Sequence, residues 1–171
     1  MTILKLTNLE KEAGAQGYLL RLQVRRPLNL WTLRLVVGNY KNPSTIQLLG
    51  ELKAWAYPMT NGLQLDTMQI RRASPPGIGH LVWAATMAWA LEETPCRKAR
   101  LLAINDDEFQ HRKLVRYFLG RGFKEIREVG SAPLDLPLRM VWGGAGTLMS
   151  GDCKEVYRSS LRLWKASQQI S

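Results

Sequence analysis

Cysteine and histidine are scarce in this chain: Cys96 and Cys153, His80 and His111, in 171 residues. Two cysteines exclude a disulfide framework, and the four residues lack the spacing of a zinc site, so no metal is expected. Acidic residues are also few, fourteen Asp and Glu against twenty-four Lys and Arg, which leaves a formal charge of +10. That surplus favours phosphate-bearing partners, whether nucleotide, nucleic acid or anionic membrane face; a merely solvated basic surface is the plainer reading. Long apolar runs are missing. The stretch from Leu81 to Leu91 falls far short of the ~20 residues that a bilayer span needs. Repeats, low-complexity tracts, long linkers and a recognisable secretory signal are missing too. A cytoplasmic location is therefore expected, or an organelle stroma if a targeting peptide has been removed.

What is present is globular in kind. Apolar residues make up 46% and charged residues 22% of the chain, values near the average for folded domains. The length suits one domain with a proper core. Strands dominate the first part. In "GYLLRLQVRR" (17–26), Leu20, Leu22 and Val24 alternate with Arg21, Gln23 and Arg25, the period of a half-buried strand. "LWTLRLVV" (30–37) follows Pro27 and reads the same way. "LLGELKAWAY" and "GLQLDTMQIRR" flank a connection ending in Asn61-Gly62, a hairpin signal because both residues tolerate positive φ.

Beyond residue 72 the pattern changes. Pro75-Pro76-Gly77-Ile78-Gly79 stops the preceding strand, and residues 80–93 are long enough for a helix. "KARLLAI" (98–104) is an almost wholly apolar run, as expected for a strand covered on both faces. The next segment predicts a helix capped by Asn105 or Asp106, striped by Leu114, Tyr117 and Phe118, and closed by Gly122 in the left-handed C′ position. "FKEIREVG" and "LPLRMVWGGAG" (136–146) are expected as strands, and "KEVYRSSLRLWKASQQ" as a docked or fraying helix. The glycines of "WGGAG" suit a bulge or the close approach of another backbone. The whole is expected to form a mixed sheet with helices, most clearly in a strand–helix–strand–helix–strand order at its middle.

Gly77-Ile-Gly79 opens a helix with almost no polar face. A helix start leaves backbone N–H groups without internal acceptors, at the positive end of the helix dipole, where a phosphate or diphosphate fits. The Walker pattern is absent, since no Lys-Ser/Thr follows Gly79. The dinucleotide fingerprint is absent as well, since its third glycine falls at Val82. A simple bend in the chain is the alternative.

In their order, the strand, Gly77-Ile-Gly79, the apolar helix, "ARLLAIND", a second helix and "RYFLGRGF" resemble the GNAT acyltransferase superfamily over about residues 48–128. Gly77 and Gly79 match the later positions of its Arg/Gln-x-x-Gly-x-Gly/Ala signature. Asn105 and Gly122-Phe123 match its second conserved stretch. The resemblance implies an α/β (α+β) fold, with a central mixed, mostly antiparallel twisted sheet flanked by helices. It implies a single domain over residues 1–171: N-terminal strands in 1–72, the coenzyme turn, helices and C-terminal strands in 73–150, and a C-terminal helix or tail in 151–171. The activity implied is transfer of an acetyl group from acetyl-CoA, or another acyl-CoA, to an amine or protein acceptor, with no metal. Coenzyme contacts would fall on Gln69, Ile70, Arg71, Ser74, Gly77, Ile78, Gly79, His80 and Asn105. This chain departs from the pattern at Ser74, where the signature has Arg or Gln, and at Pro75 and Pro76, which lack an N–H. The family's frequent proton-donating tyrosine aligns with Phe118, and Tyr117 lies one place earlier, about 100° round the helix.

Transfer to an amine needs an acceptor for its proton, and Glu51 and Asp66 on the hairpin strands are the candidates. With Tyr117 they complete the candidate catalytic set. A histidine at a helix N-terminus is biased towards its neutral form, which makes His80 either a phosphate contact or a plain first-turn residue. Two further readings remain open. One is a binding or assembly factor that keeps the fold without the chemistry and works through a protein partner, in line with six tryptophans. The other is nucleic-acid binding through basic clusters such as Arg97-Lys98-Arg100 and His111-Arg112-Lys113. It ranks third because no recognised module is visible.

Overall fold

In the computed structural model, residues 6–105, 107–130, 135–137 and 145–169 are described. Among them are four α-helices and seven strands, a mixed α/β architecture around one mostly antiparallel sheet. The chain begins with α1 (Leu6–Ala15), β1 (Tyr18–Arg25) and a short 3₁₀ turn (Pro27–Asn29). It continues through β2 (Trp31–Asn42), β3 (Thr45–Ala56), β4 (Leu63–Ile70), α2 (Ile78–Glu93) and β5 (Lys98–Ile104). It closes with α3 (Glu108–Arg121), β6 (Phe123–Val129), β7 (Gly146–Asp152) and α4 (Cys153–Gln168). The strand order is β1-β2-β3-β4-β5-β7-β6. The expected strand–helix–strand–helix–strand succession is present as β4-α2-β5-α3-β6.

All neighbouring strands run antiparallel except β4 and β5, which are parallel. That parallel pairing is very short: only Leu63↔Ala99 and Gln64↔Arg100 are in register, although β4 continues to Ile70 and β5 to Ile104. Just after the break β4 carries a bulge. Lys53 pairs with Thr67 and Ala54 with Leu65, so Asp66 has no cross-strand partner. A bulge of this kind bends its strand and re-aims the side chains beyond it.

The core lies between the sheet and α2. Eleven of the sixteen α2 residues are buried, among them Trp83, Met87 and Trp89. Its alanines, Ala84, Ala85, Ala88 and Ala90, add little side-chain bulk, so the helix is covered on all sides. The sheet lies on one side, while α4 and α1 pack against others. Gly50 of β3 makes room for the start of α2, because a side-chain carbon there would press on Ile78 and Val82, each 3.3 Å away. On α4, Val156, Tyr157 and Trp164 are buried, so this amphipathic helix is docked rather than frayed.

Several expectations need correction. The first seventy-two residues are not strands alone: α1 precedes β1, and its apolar stripe is only Leu6, Leu9 and Ala13. The second strand does not stop at Val37, as the run 30–37 suggested, but continues to Asn42, past a bulge at Leu49 of β3. The helix α3 is capped by neither Asn105 nor Asp106. Asp107 accepts from the backbone N–H groups of Phe109 and Gln110. The strand expected over 136–146 lies mostly outside the described residues, at 138–144; residues 135–137 form a helical turn, and the strand found here, β7, spans Gly146–Asp152. The close approach expected from the glycines holds at Gly146, where an added carbon would collide with the Ala103 carbonyl across the β5–β7 pair. Asn61-Gly62 is not a two-residue turn but the end of a longer loop, in which Tyr57 N–H donates to the Gly62 carbonyl.

Two substitutions separate core from cap. Trp89→Ala empties a wholly enclosed ring site and is expected to cost about 3–5 kcal/mol in denaturant unfolding. Asp107→Ala removes only the α3 cap and is expected to cost about 1 kcal/mol.

Candidate functional site

Where β4 parts from β5, no strand among the described residues pairs with the freed edge of β4 beyond Gln64. Backbone N–H and C=O groups along that edge are left for other partners. Side chains partly fill the gap. Leu101 and Leu102 come from β5, Trp83 from α2 and Phe118 from α3, all around a narrow space of about 50 Å³ that also touches Asp66 and Met68. Beside it opens a cavity of about 430 Å³. Its lining combines Met68 and Ile70 of β4, Gly77, Gly79 and His80 at the start of α2, and Leu114, Tyr117 and Phe118 of α3. This volume lies within the range of about 300–1,000 Å³ common for ligand sites.

The start of α2 is built without a cap. Gly77 sits at the N-cap in the left-handed region, φ 95°, and no side chain accepts from the first turn. The first internal bond runs from the Leu81 N–H to the Gly77 carbonyl at 3.0 Å, so the amides of Ile78, Gly79 and His80 find no acceptor within the helix. The two glycines face different surroundings. A side-chain carbon on Gly77 would run into the Ser167 hydroxyl, because the end of α4 lies over that side of the turn. On Gly79 it would project into the cavity, 3.8 Å from Tyr117 Oη and 4.0 Å from Ile70 Cγ1. Glycine at 79 therefore keeps open a cradle that a methyl group would occupy.

The polar side chains lining the cavity both present hydrogens. Trp83 Nε1 donates to Tyr117 Oη at 2.9 Å. An indole can only donate, so the Tyr117 hydroxyl hydrogen remains to be given elsewhere. Arg121 Nη1 lies 2.6 Å from His80 Nδ1. A guanidinium cannot accept, so Nδ1 carries the lone pair and the neutral ring holds its proton on Nε2. Burial and, next, the Arg121 charge hold the His80 pKa below its ordinary 6.5. Arg121 also stands 5.6 Å from the Tyr117 ring centroid, and its Nε is buried with no hydrogen-bond partner among the described residues. A T-shaped contact between Trp83 and Phe118, and a tilted one between Trp83 and Phe123, fix α3 against α2 and β6.

The sequence candidates fall into three groups. Ile70, Gly77, Gly79, His80 and Tyr117 meet around the cavity. Glu51, Gln69 and Arg71 line a second depression of about 580 Å³, which shares Met68 and Ile70 with the first. There Arg34 Nε holds Glu51 Oε1 at 2.8 Å, with Lys53 Nζ at 4.0 Å. The rest lie apart. Ser74 donates to the Leu49 carbonyl at 2.8 Å and so ties the turn to β3, while the Ile78 side chain is wholly in the core. The Asn105 N–H donates to the Ala145 carbonyl at 2.9 Å, and Asp66 faces out on the bulge. Arg121 was not among the expected site residues, yet its guanidinium reaches His80 and the Tyr117 ring; Phe118, expected in the apolar stripe of α3, lines the cavity. Arg121 is one turn beyond Tyr117 on α3, and that spacing was the available signal. Cys96 and Cys153 are buried, and burial, followed by the neighbouring Cys96, pushes the Cys153 thiol up to about 12. Such a thiol holds almost no thiolate at neutral pH and makes a poor nucleophile.

No protein-family model and no curated protein matches the chain. A solved structure of an uncharacterized protein from Bacillus halodurans is similar at a TM-score of 0.46 and 14% identity, over 80% of this chain. The chain spans 66% of that protein's length.

The two glycines are expected to respond oppositely to alanine. Gly77→Ala places a side chain at positive φ against Ser167 and lowers the melting temperature. Gly79→Ala meets only ordinary contacts and gains up to about 1 kcal/mol of helix propensity. His80 adds a pH signature. Its folded-state pKa lies below the unfolded one, so its contribution is complete above about pH 6.5 and is lost as the pH falls towards the folded-state value. Denaturant unfolding between pH 7 and 5 is expected to show this decline, with a shallower slope in His80→Gln.

Proposed function

We propose that this chain is an acyl-CoA-dependent N-acyltransferase of the GNAT kind, transferring an acetyl or other acyl group to an amine. The observation that carries the proposal is the cavity beside the uncapped start of α2, whose polar side chains all donate. Donors converging on one space suit an anion, and a helix N-terminus adds its positive end. The residues fit the coenzyme in three respects. The amides of Ile78, Gly79 and His80 find no acceptor within the helix, the bare Gly79 lets a diphosphate approach the backbone, and the edge of β4 near Gln69 and Ile70 suits the amides of an extended pantetheine arm. Pro75 and Pro76 withhold two donors. Arg121 and the His80 Nε2–H stand near enough to replace part of what is lost.

Acetyl-CoA, when bound, supplies an activated acyl carbonyl joined to a sulfur leaving group. Tyr117 holds a hydroxyl hydrogen free of Trp83 and passes it from Oη to the departing sulfur. Trp83 and the Arg121 guanidinium fix the Tyr117 ring. Met68, Leu114 and Phe118 exclude water from the acyl end. His80 remains neutral and serves as a donor, and Arg121 holds it in that tautomer. A second reading, a binding factor without turnover, is favoured by one observation: the Glu51 carboxylate is already engaged by Arg34 and does not line this cavity.

Titration with acetyl-CoA, followed by thermal unfolding, is the test. Ligand at 100 times its Kd is expected to add about 2.7 kcal/mol of stability. Tyr117→Phe is expected to keep that shift while turnover over an amine panel falls by about 10²–10⁴-fold, the range for loss of a general acid. No shift at millimolar coenzyme contradicts the proposal; a shift without turnover in the unsubstituted protein selects the binding factor.

A further inference from the structure

The face of β1–β3 turned away from α2 carries a third depression, of about 330 Å³, whose chemistry is opposite in sign to that of a receptor for a simple cation. Arg25, Arg34 and Lys53 line it together with Thr32, Trp55 and Asp66. The Trp55 side chain is 41% exposed, a large value for an indole in the middle of a sheet. Strand alternation explains the grouping. Arg25↔Thr32 and Arg34↔Lys53 are cross-strand pairs, and Thr32↔Trp55 links them into one lattice. Glu51 holds Arg34 at 2.8 Å and reaches Lys53 only at 4.0 Å, so Lys53 is the more loosely held of the two, and Arg25 forms no ion pair among the described residues.

Asp66 joins this depression to the cavity described above. As the bulged residue of β4 it lines both the outer depression and the narrow space where β4 and β5 part. That space in turn shares Met68 and Phe118 with the cavity at α2. The three spaces therefore adjoin one another from one face of the sheet to the other, where β4 and β5 part. The middle space is the smallest of the three, about 50 Å³.

The geometry points to the outer depression as the acceptor site of the proposed transferase, and to an acceptor of a particular class: a primary amine that also carries a carboxylate or phosphate and an aromatic or apolar body. This inference rests on the acyltransferase reading. Arg25 and Lys53 hold the acceptor's anionic group, Trp55 stacks on its body, and Asp66 receives its amine end at the mouth of the passage. The neutral amine nitrogen bonds to the acyl carbon, the carbon–sulfur bond breaks, and the sulfur takes the proton from Tyr117 Oη. The nitrogen releases its extra proton to the Asp66 carboxylate, which passes it to solvent, and Tyr117 is reprotonated from solvent. The basic lining then has a physical purpose, since it selects against amines that carry no anion.

The test compares matched amines with and without the anion: phenylalanine against phenethylamine, tryptophan against tryptamine, and phosphoethanolamine against ethanolamine, with acetyl-CoA saturating and released thiol as the readout. The anionic member of at least one pair is expected to be used with kcat/KM about tenfold or more above its partner, the return of one charge-assisted hydrogen bond. The double variant Arg25→Ala/Lys53→Ala is expected to erase that advantage by raising KM while kcat holds. Asp66→Asn is expected to lower kcat by about 10²-fold or more while KM holds, with Asp66→Glu restoring part of the loss. Equal use of both members of every pair, a preference that survives the double variant, or no turnover of any amine by protein that binds acetyl-CoA would overturn the inference. So would quenching of Trp55 fluorescence by a single-stranded oligonucleotide but by none of the amines, which would assign the face to nucleic acid. Failure of acetyl-CoA itself to bind is read separately, by thermal shift, and counts against the transferase reading instead.

Discussion

Two residue pairs, Leu63↔Ala99 and Gln64↔Arg100, are all that join β4 to β5, and the candidate site follows from how early that pairing stops. A parallel ladder continued to Ile70 would have closed the sheet, satisfied the β4 edge and left no passage between its faces. The bulge at Asp66 and the packing of Trp83 and Phe118 into the gap hold the strands apart. The cost is a run of backbone groups without strand partners, tolerable only where water or a ligand can reach them. The break falls beside the uncapped start of α2, so two sets of free backbone donors meet at one place.

The electrostatics of that place are one-sided. Trp83 occupies the acceptor capacity of Tyr117, and Arg121 occupies the acceptor nitrogen of His80, so both side chains face the cavity with hydrogens. Carboxylates are kept away: Glu51 is tied to Arg34, and Asp66 lies on the other side of the passage. The same logic, turned outward, accounts for Arg25 and Lys53 around Trp55.

Much of the architecture was legible in the chain because local signals agreed with the tertiary outcome. Val24, Leu22 and Leu20 alternate as a half-buried strand must, the run from Lys98 to Ile104 is apolar because both faces are covered, and Gly122 stands at φ 106° where a helix ends. The misses have physical reasons as well. The stripe on α1 is three small or apolar residues long, too short to show a period. Asp106 and Asp107 are equally good caps by type, and only the entry angle of the chain chooses between them. The strand β7, Gly146–Asp152, was not foreseen because its glycines and serine conceal a nearly continuous burial. At the site, spacing found Gly77, Gly79, His80 and Tyr117. It did not find Arg121, nor the bulge that turns Asp66 outward, because both depend on contacts between segments far apart in sequence.

The central claim is that the free amides at the start of α2 receive a diphosphate. It is tested most directly by following the backbone amide resonances of Ile78, Gly79 and His80 while coenzyme A is added. The account predicts large, saturable shifts at these three amides and at the Tyr117 ring, reproduced in part by pyrophosphate alone. Saturable shifts confined to the outer face around Trp55, or none at residues 78–80, would contradict it.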